Sequence, residues 1–181
     1  MRIPLVAGVL ACLCSCSSPY MRDAAPTGPP GPDEVKIVVY RPGSIGGGAK
    51  FPVYVGDRLV GFAEHGAYFE HRCAPGKRLL LAWGENDAAI GAELAGGRTY
   101  YVRAVANFGF FEAQVGFEPV AKDSDLAKRL DADLGACKCR ELIPERGAQF
   151  EKEKRERVLK LIEVFERGEK KPRVMKADDG R

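Results

Sequence analysis

The chain has little of what most catalytic sites need. It holds two histidines, His65 and His71, and beyond residue 34 two serines, Ser44 and Ser124. A serine relay would have to be assembled from those four. Ser44 sits in the glycine-rich run from Gly43 to Gly48, which has no strand-to-helix elbow and reads as a glycine loop between strands. Gly46, Gly47 and Gly48 are not followed by the Lys and Ser/Thr that a phosphate-cradling loop requires. No Cys-x-x-Cys pair is present, which argues against a thiol oxidoreductase. Charge is not one-sided: 28 basic residues against 25 acidic ones leave +3, too balanced a field to gather nucleic acid. Past the amino terminus no apolar run is long enough to span a bilayer, the best being Leu79 to Trp83.

What is present suits one globular domain with appendages. Within 181 residues, 45% are hydrophobic and 29% charged, the proportions of a chain with a real core. Met1 and Arg2 precede a run from Ile3 to Leu13, apolar apart from Gly8 and interrupted by Pro4, that has the length of a secretory signal core. The run ends in Leu13, Cys14, Ser15, Cys16, which resembles the lipobox of bacterial lipoproteins. Cys16 fits best as the modified residue, Cys12 is a weaker second and Cys14 is poor; an ordinary cleaved signal peptide is the alternative. The resemblance implies cleavage after residue 15 and covalent diacylglycerol and fatty acid, such as palmitate, on Cys16, with no other cofactor. Ser17 after the cysteine implies sorting to the outer membrane, facing the periplasm. Residues 16–34, rich in Pro and Gly, read as a tether that could hold a domain up to roughly 50 Å from the bilayer.

Residues 35–121 read as a small antiparallel two-sheet β-sandwich. Short apolar runs are separated by turn residues every eight to twelve positions or so. The expected strands are Val35–Arg41, one through Phe51, Val53 and Val55, Leu59–Ala63, Tyr68–Cys73, Arg78–Trp83, Ala88–Leu94 and Thr99–Ala106. A last strand alternates Phe111, Ala113, Val115 and Phe117 inward. Gly56-Asp57 is a two-residue hairpin turn.

Tyr40-Arg41-Pro42-Gly43, Val53-Tyr54-Val55, Pro75-Gly76-Lys77 and Tyr100-Tyr101-Val102-Arg103 resemble the signature of a family of bacterial lipoproteins, domain of unknown function 2846, over residues 35–120. The resemblance implies an envelope lipoprotein with a β-sandwich and no assigned activity. Tyr40, Arg41, Tyr54, Tyr101 and Arg103 are candidates for a surface that recognises a carboxylate or sugar, against the alternative of half-buried strand tyrosines and solvated arginines. The three remaining thiols, Cys73, Cys137 and Cys139, are candidates for a disulfide from Cys73 to the Cys-x-Cys pair, or with His71 for a zinc site. The leading reading is a non-catalytic binding or structural module with an envelope-protein or cell-wall partner and no nucleic acid. Its rival is a small envelope enzyme or thiol/zinc protein using the Cys/His cluster, or a carboxylate pair drawn from Glu64, Glu70 and Glu112.

From 122 to 181 the composition shifts to 17 basic and 14 acidic residues, which marks residues 122–181 as a charged helical tail. Leu126, Leu130 and Leu134 form a stripe on a short helix capped by Asp123 or Ser124 and stopped by Gly135. A second helix runs from about Arg146 to Arg167. Its first half, Glu151 to Arg157, is wholly charged and expected to be solvated on all sides, and its apolar stripe is Val158, Leu161, Ile162 and Phe165. That stripe is expected to dock on the leucine helix, or else on a partner or second copy through residues 158–165.

Overall fold

The structure, a computed structural model, describes residues 18–43 and 48–181. The signal segment, Cys12, Cys14, the lipidation candidate Cys16, and Ser44 lie outside the described residues. Strands β1 (Met21–Asp23), β2 (Val35–Arg41), β5 (Ala67–Cys73), β8 (Arg98–Asn107), β9 (Gln114–Pro119) and β10 (Lys138–Leu142) form one sheet in the order β1-β10-β5-β2-β8-β9. Strands β3 (Phe51–Val55), β4 (Arg58–Ala63), β6 (Gly76–Trp83), β7 (Asp87–Leu94) and β11 (Arg173–Met175) form the second, in the order β11-β7-β6-β3-β4. The mainly β, sandwich-like architecture is as the alternation predicts.

The sheets are mixed rather than antiparallel. β2 pairs parallel to β8, β10 parallel to β5, and β11 parallel to β7. The expectation rested on hairpins, which fix direction only between strands joined by short turns. All three parallel pairs join strands far apart in sequence, so their directions follow from how the chain returns.

The two helices lie on opposite outer faces. Helix α1 (Asp125–Gly135) is capped by Ser124, whose hydroxyl accepts from the Ala127 N–H, and its Leu130 packs with Tyr40 and Val120 against the first sheet. Helix α2 (Pro144–Glu166) crosses the second sheet, with Val158, Leu161 and Phe165 buried in the main core beside Tyr54 and Trp83. Docking of α2 on the leucine helix is therefore corrected, and its stripe is not a free surface for self-association. The outward side chains of β3 and β6 are apolar too, and each α2 stripe residue buried there contributes roughly 1.5–3 kcal/mol. The charged half of α2 is also in use: the Glu151 carboxylate accepts from the Leu59 N–H at 2.9 Å, and the Arg157 guanidinium lies 4.9 Å from the Trp83 ring centroid.

The boundaries at 34 and 122 are boundaries of composition, not of fold. β10 and β11 come from the tail, and β1 from the supposed tether pairs with β10 through Met21 opposite Leu142. Tyr20 stacks on Phe62 at 4.4 Å, and Met21 is buried. Farther along, Lys36 Nζ donates to the carbonyls of Thr27 and Gly28 and pairs with Glu70 at 3.3 Å, fastening the arm to the outer face of the first sheet. Residues 18–34 are thus a bound arm, not an extended spacer. Proline fixes extended backbone without deciding whether that backbone finds a surface.

Candidate functional site

The sandwich has two unlike ends. At one, β2 leads out past Arg41, and the β4–β5, β6–β7 and β8–β9 connections gather. The Gly66 N–H donates to the Arg41 carbonyl there, and the Glu85 N–H to the Ala113 carbonyl. At the other end lie the β3–β4, β5–β6 and β7–β8 turns. Gly56 takes the positive φ of 61° that the predicted β3–β4 turn requires.

The proposed tyrosine and arginine surface is not assembled. Tyr40 and Tyr54 are wholly buried on opposite outer faces, Tyr40 under α1 and Tyr54 under α2, where it stacks on Trp83 at 5.0 Å. Burial, with the Asp133 carboxylate second, pushes the Tyr40 phenol up to about 12, and burial with Glu151 raises Tyr54 further. Arg41, also wholly buried, donates to the carbonyls of Ala49 at 2.6 Å and Ala63 at 3.3 Å and lies 5.1 Å from the Phe51 ring centroid. It ties the loop end together. Arg103 pairs with Glu118 at 3.1 Å on the neighbouring strand, and Tyr101 packs beside α1, with Arg181 6.0 Å over its ring. For the tyrosines the cause is that the tail helices cover both faces that strand alternation alone would leave wet, whereas the arginines are taken up by the Ala49 and Ala63 carbonyls and by Glu118.

The cysteines are also kept apart. Cys139 lies opposite Tyr68, and Cys73 is five residues farther along β5, about 17 Å away at the rise of a strand. A disulfide needs Cα atoms within about 7 Å. Cys73 and His71 point to the inner face opposite Val35 and Ile37, whereas Cys139 shares the face of Tyr68 under α1. Among the described residues, no group of three or more His, Cys, Asp or Glu is placed to hold a metal ion. Burial raises all three thiols above their ordinary value, Cys137 to about 11. That holds them protonated at neutral pH, the opposite of what thiolate chemistry requires. The candidate carboxylates do not converge: Glu64 accepts from Ser18 and Arg140, Glu70 from Lys36 and Thr27 on the outer face, and Glu112 is exposed in the β8–β9 loop.

His71 and Cys73 do share a concavity. A cleft of about 510 Å³ is bounded by β5 of the first sheet, the β3–β4 and β6 segments of the second, and the end of α2. Val55, Leu79 and Ile162 supply its apolar wall, and Arg58, Arg72, Lys77, Arg78 and His71 face it against the single carboxylate of Glu166. Arg72 is engaged by Glu34, and Arg78 donates to the carbonyls of Lys77 and Ala74. Arg58 and Lys77 form no ion pair among the described residues. Burial, then the nearby Arg58 charge, lowers the His71 pKa. A concave, partly apolar cleft of this size with uncompensated cations is suited to an anionic group. Lys77 lies in the Pro75-Gly76-Lys77 turn already singled out in the sequence; Arg58, one residue past the Gly56-Asp57 turn, carries no signal that would separate it from any strand-edge arginine.

No family model matches the chain, and no solved structure matches it. The resemblance to the lipoprotein family thus rests on the residues quoted for it.

Proposed function

We propose that this chain is a lipid-anchored protein of the bacterial cell envelope, acting as a non-catalytic binding module whose cleft takes an anionic group, a carboxylate or phosphate, from an envelope or cell-wall partner. The observation that carries the binding reading is the cleft itself: Arg58 and Lys77 face a volume of about 510 Å³ without carboxylate partners among the described residues, beside an apolar wall that would seat the body of a ligand. The anchor is supported by the Leu13-Cys14-Ser15-Cys16 run after an apolar segment of signal length.

Two measurements test the two halves. Inorganic phosphate and citrate are titrated into the full chain while the His71 ring proton resonances are followed. The expected result is a saturable shift that disappears in the Arg58→Gln/Lys77→Gln variant with its melting temperature unchanged. Absence of saturation with either anion overturns the binding reading. Metabolic labelling with a fatty-acid analogue tests the anchor: Cys16→Ser abolishes labelling. Label that persists in Cys16→Ser and disappears in Cys12→Ser moves the anchor to Cys12.

A further inference from the structure

Helix α2 ends before the sheet beneath it does. Its last buried residue is Phe165, and Gly168, at a positive φ of 72°, turns the chain away just past its end. Where the helix stops, the outer face of β6, β7 and β11 is left as a groove of about 460 Å³. Register pairing lays Leu79, Gly91 and Val174 in one row across the three strands, on one face of the sheet. Phe165, Pro172 and Met175 complete an apolar lining, and Val174 is 67% exposed. Gly91 keeps the middle of the row low, since a Cβ there would stand only 3.5 Å from the Pro172 ring.

The groove meets the cationic cleft. Lys77, Arg78, Leu79 and Glu166 line both hollows. Leu79 belongs to both apolar walls, and Lys77 lies two residues away on the same face of β6, at about 7 Å. Across the two hollows Arg58, Arg72, Lys77, Arg78 and Lys176 face two carboxylates, Glu93 and Glu166. Glu93 is the register partner of Lys77, and no ion pair joins the two among the described residues. Apolar surface and positive charge thus adjoin at one place, the Lys77–Leu79 segment of β6.

We infer that cleft and groove are two halves of one site, and that its ligand is an amphipathic anion, with a carboxylate or phosphate head at Arg58 and Lys77 and a hydrocarbon chain laid over Leu79, Gly91 and Val174. The inference rests on the anion-binding reading of the cleft and adds the body of the ligand. Charge complementarity selects the head: an uncharged apolar ligand would leave the cations unmatched, and a bare anion would leave the groove unfilled. The row beside it selects the tail, because a peptide backbone laid there would bury N–H and C=O groups over side chains that offer them no partner. From Leu79 to Val174 is two strand spacings, about 10 Å, which an octyl chain spans.

The test is a chain-length series on the full chain. Inorganic phosphate, butyl phosphate and octyl phosphate are titrated below the concentration at which the last forms micelles; the His71 ring protons report the head and the Met175 methyl group the tail. Each methylene buried improves affinity by about fourfold at most. Octyl phosphate should therefore bind about tenfold or more tighter than butyl phosphate, and move the Met175 methyl resonance that inorganic phosphate leaves in place. Gly91→Leu, which fills the groove from a strand position without positive φ, should cancel that gain and leave inorganic phosphate bound as before. Val174→Ser, at an exposed position that folding does not depend on, should weaken octyl phosphate alone. Equal affinity for the three phosphates with the Met175 methyl unmoved overturns the inference and leaves the anion-binding reading standing. Failure of inorganic phosphate to bind, with octyl phosphate binding undiminished in Arg58→Gln/Lys77→Gln, removes the anion-binding reading and the inference with it.

Discussion

The two ends of the sandwich differ in what they leave uncovered. At the loop end Arg41 is held on two carbonyls, Glu64 on Ser18 and Arg140, and Glu85 on three amides, while three phenylalanines are bare. At the cleft end the apolar side chains Val55, Leu79 and Ile162 are drawn into a wall, and the cations Arg58 and Lys77 have no ion pair among the described residues. A fold of alternating strands could have presented the same surface at both ends. Under the proposed function, the cleft end is the one that takes an anionic group.

The most severe way to break this comparison is to remove the tail. A chain ending at residue 121 loses β10, which sits between β1 and β5, loses β11, and uncovers Tyr40 and Tyr54. It should melt without cooperativity, as read by near-ultraviolet circular dichroism against temperature. A sharp transition would mean that the composition boundary is a fold boundary after all. Next in size is Arg41→Ala at the loop end. Two carbonyls lose their donor and a buried volume empties, so a loss of about 3 kcal/mol or more in denaturant unfolding is expected. Arg58→Ala at the cleft end should stay within about 0.5 kcal/mol.

Finer comparisons follow. Tyr54→Phe should change stability by less than about 1 kcal/mol, because the buried hydroxyl has no hydrogen-bond partner among the described residues; a larger loss would show a bond that the core depends on. The smallest effect is that of His71. Its folded pKa lies below the ordinary 6.5, so the unfolded chain binds more protons between those values, and stability falls as pH drops from about 6.5 through the folded pKa. His71→Gln should flatten that part of the melting-temperature profile. An unchanged slope would place the titrating group elsewhere.

Much of the fold was legible because it is local. Val35–Arg41 is the strand that its β-branched run predicts, and Gly56 makes its turn. The failures share a physical character. Phe111 and Ala113 continue the alternation of Val115 and Phe117, yet β9 begins only at Gln114 and Phe111 is exposed, because periodicity does not reveal where pairing starts. Tyr40 and Tyr54 looked like surface because the helices that cover them follow a run of composition that reads as solvated. Tyr20 and Met21 were hidden by the prolines around them. Of the site, Lys77 and the His71–Cys73 strand were visible. The convergence of Arg58, Lys77 and α2 depends on which face the tail packs against, and no local pattern encodes that.

The most direct test of the central claim, that the cleft end takes an anion, is amide hydrogen exchange on the full chain with and without inorganic phosphate. Binding in the cleft predicts slowed exchange across residues 56–58 and 77–79, with residues 64–66 and 108–113 unchanged. No protection at the cleft, or equal protection at both ends, would contradict the proposal.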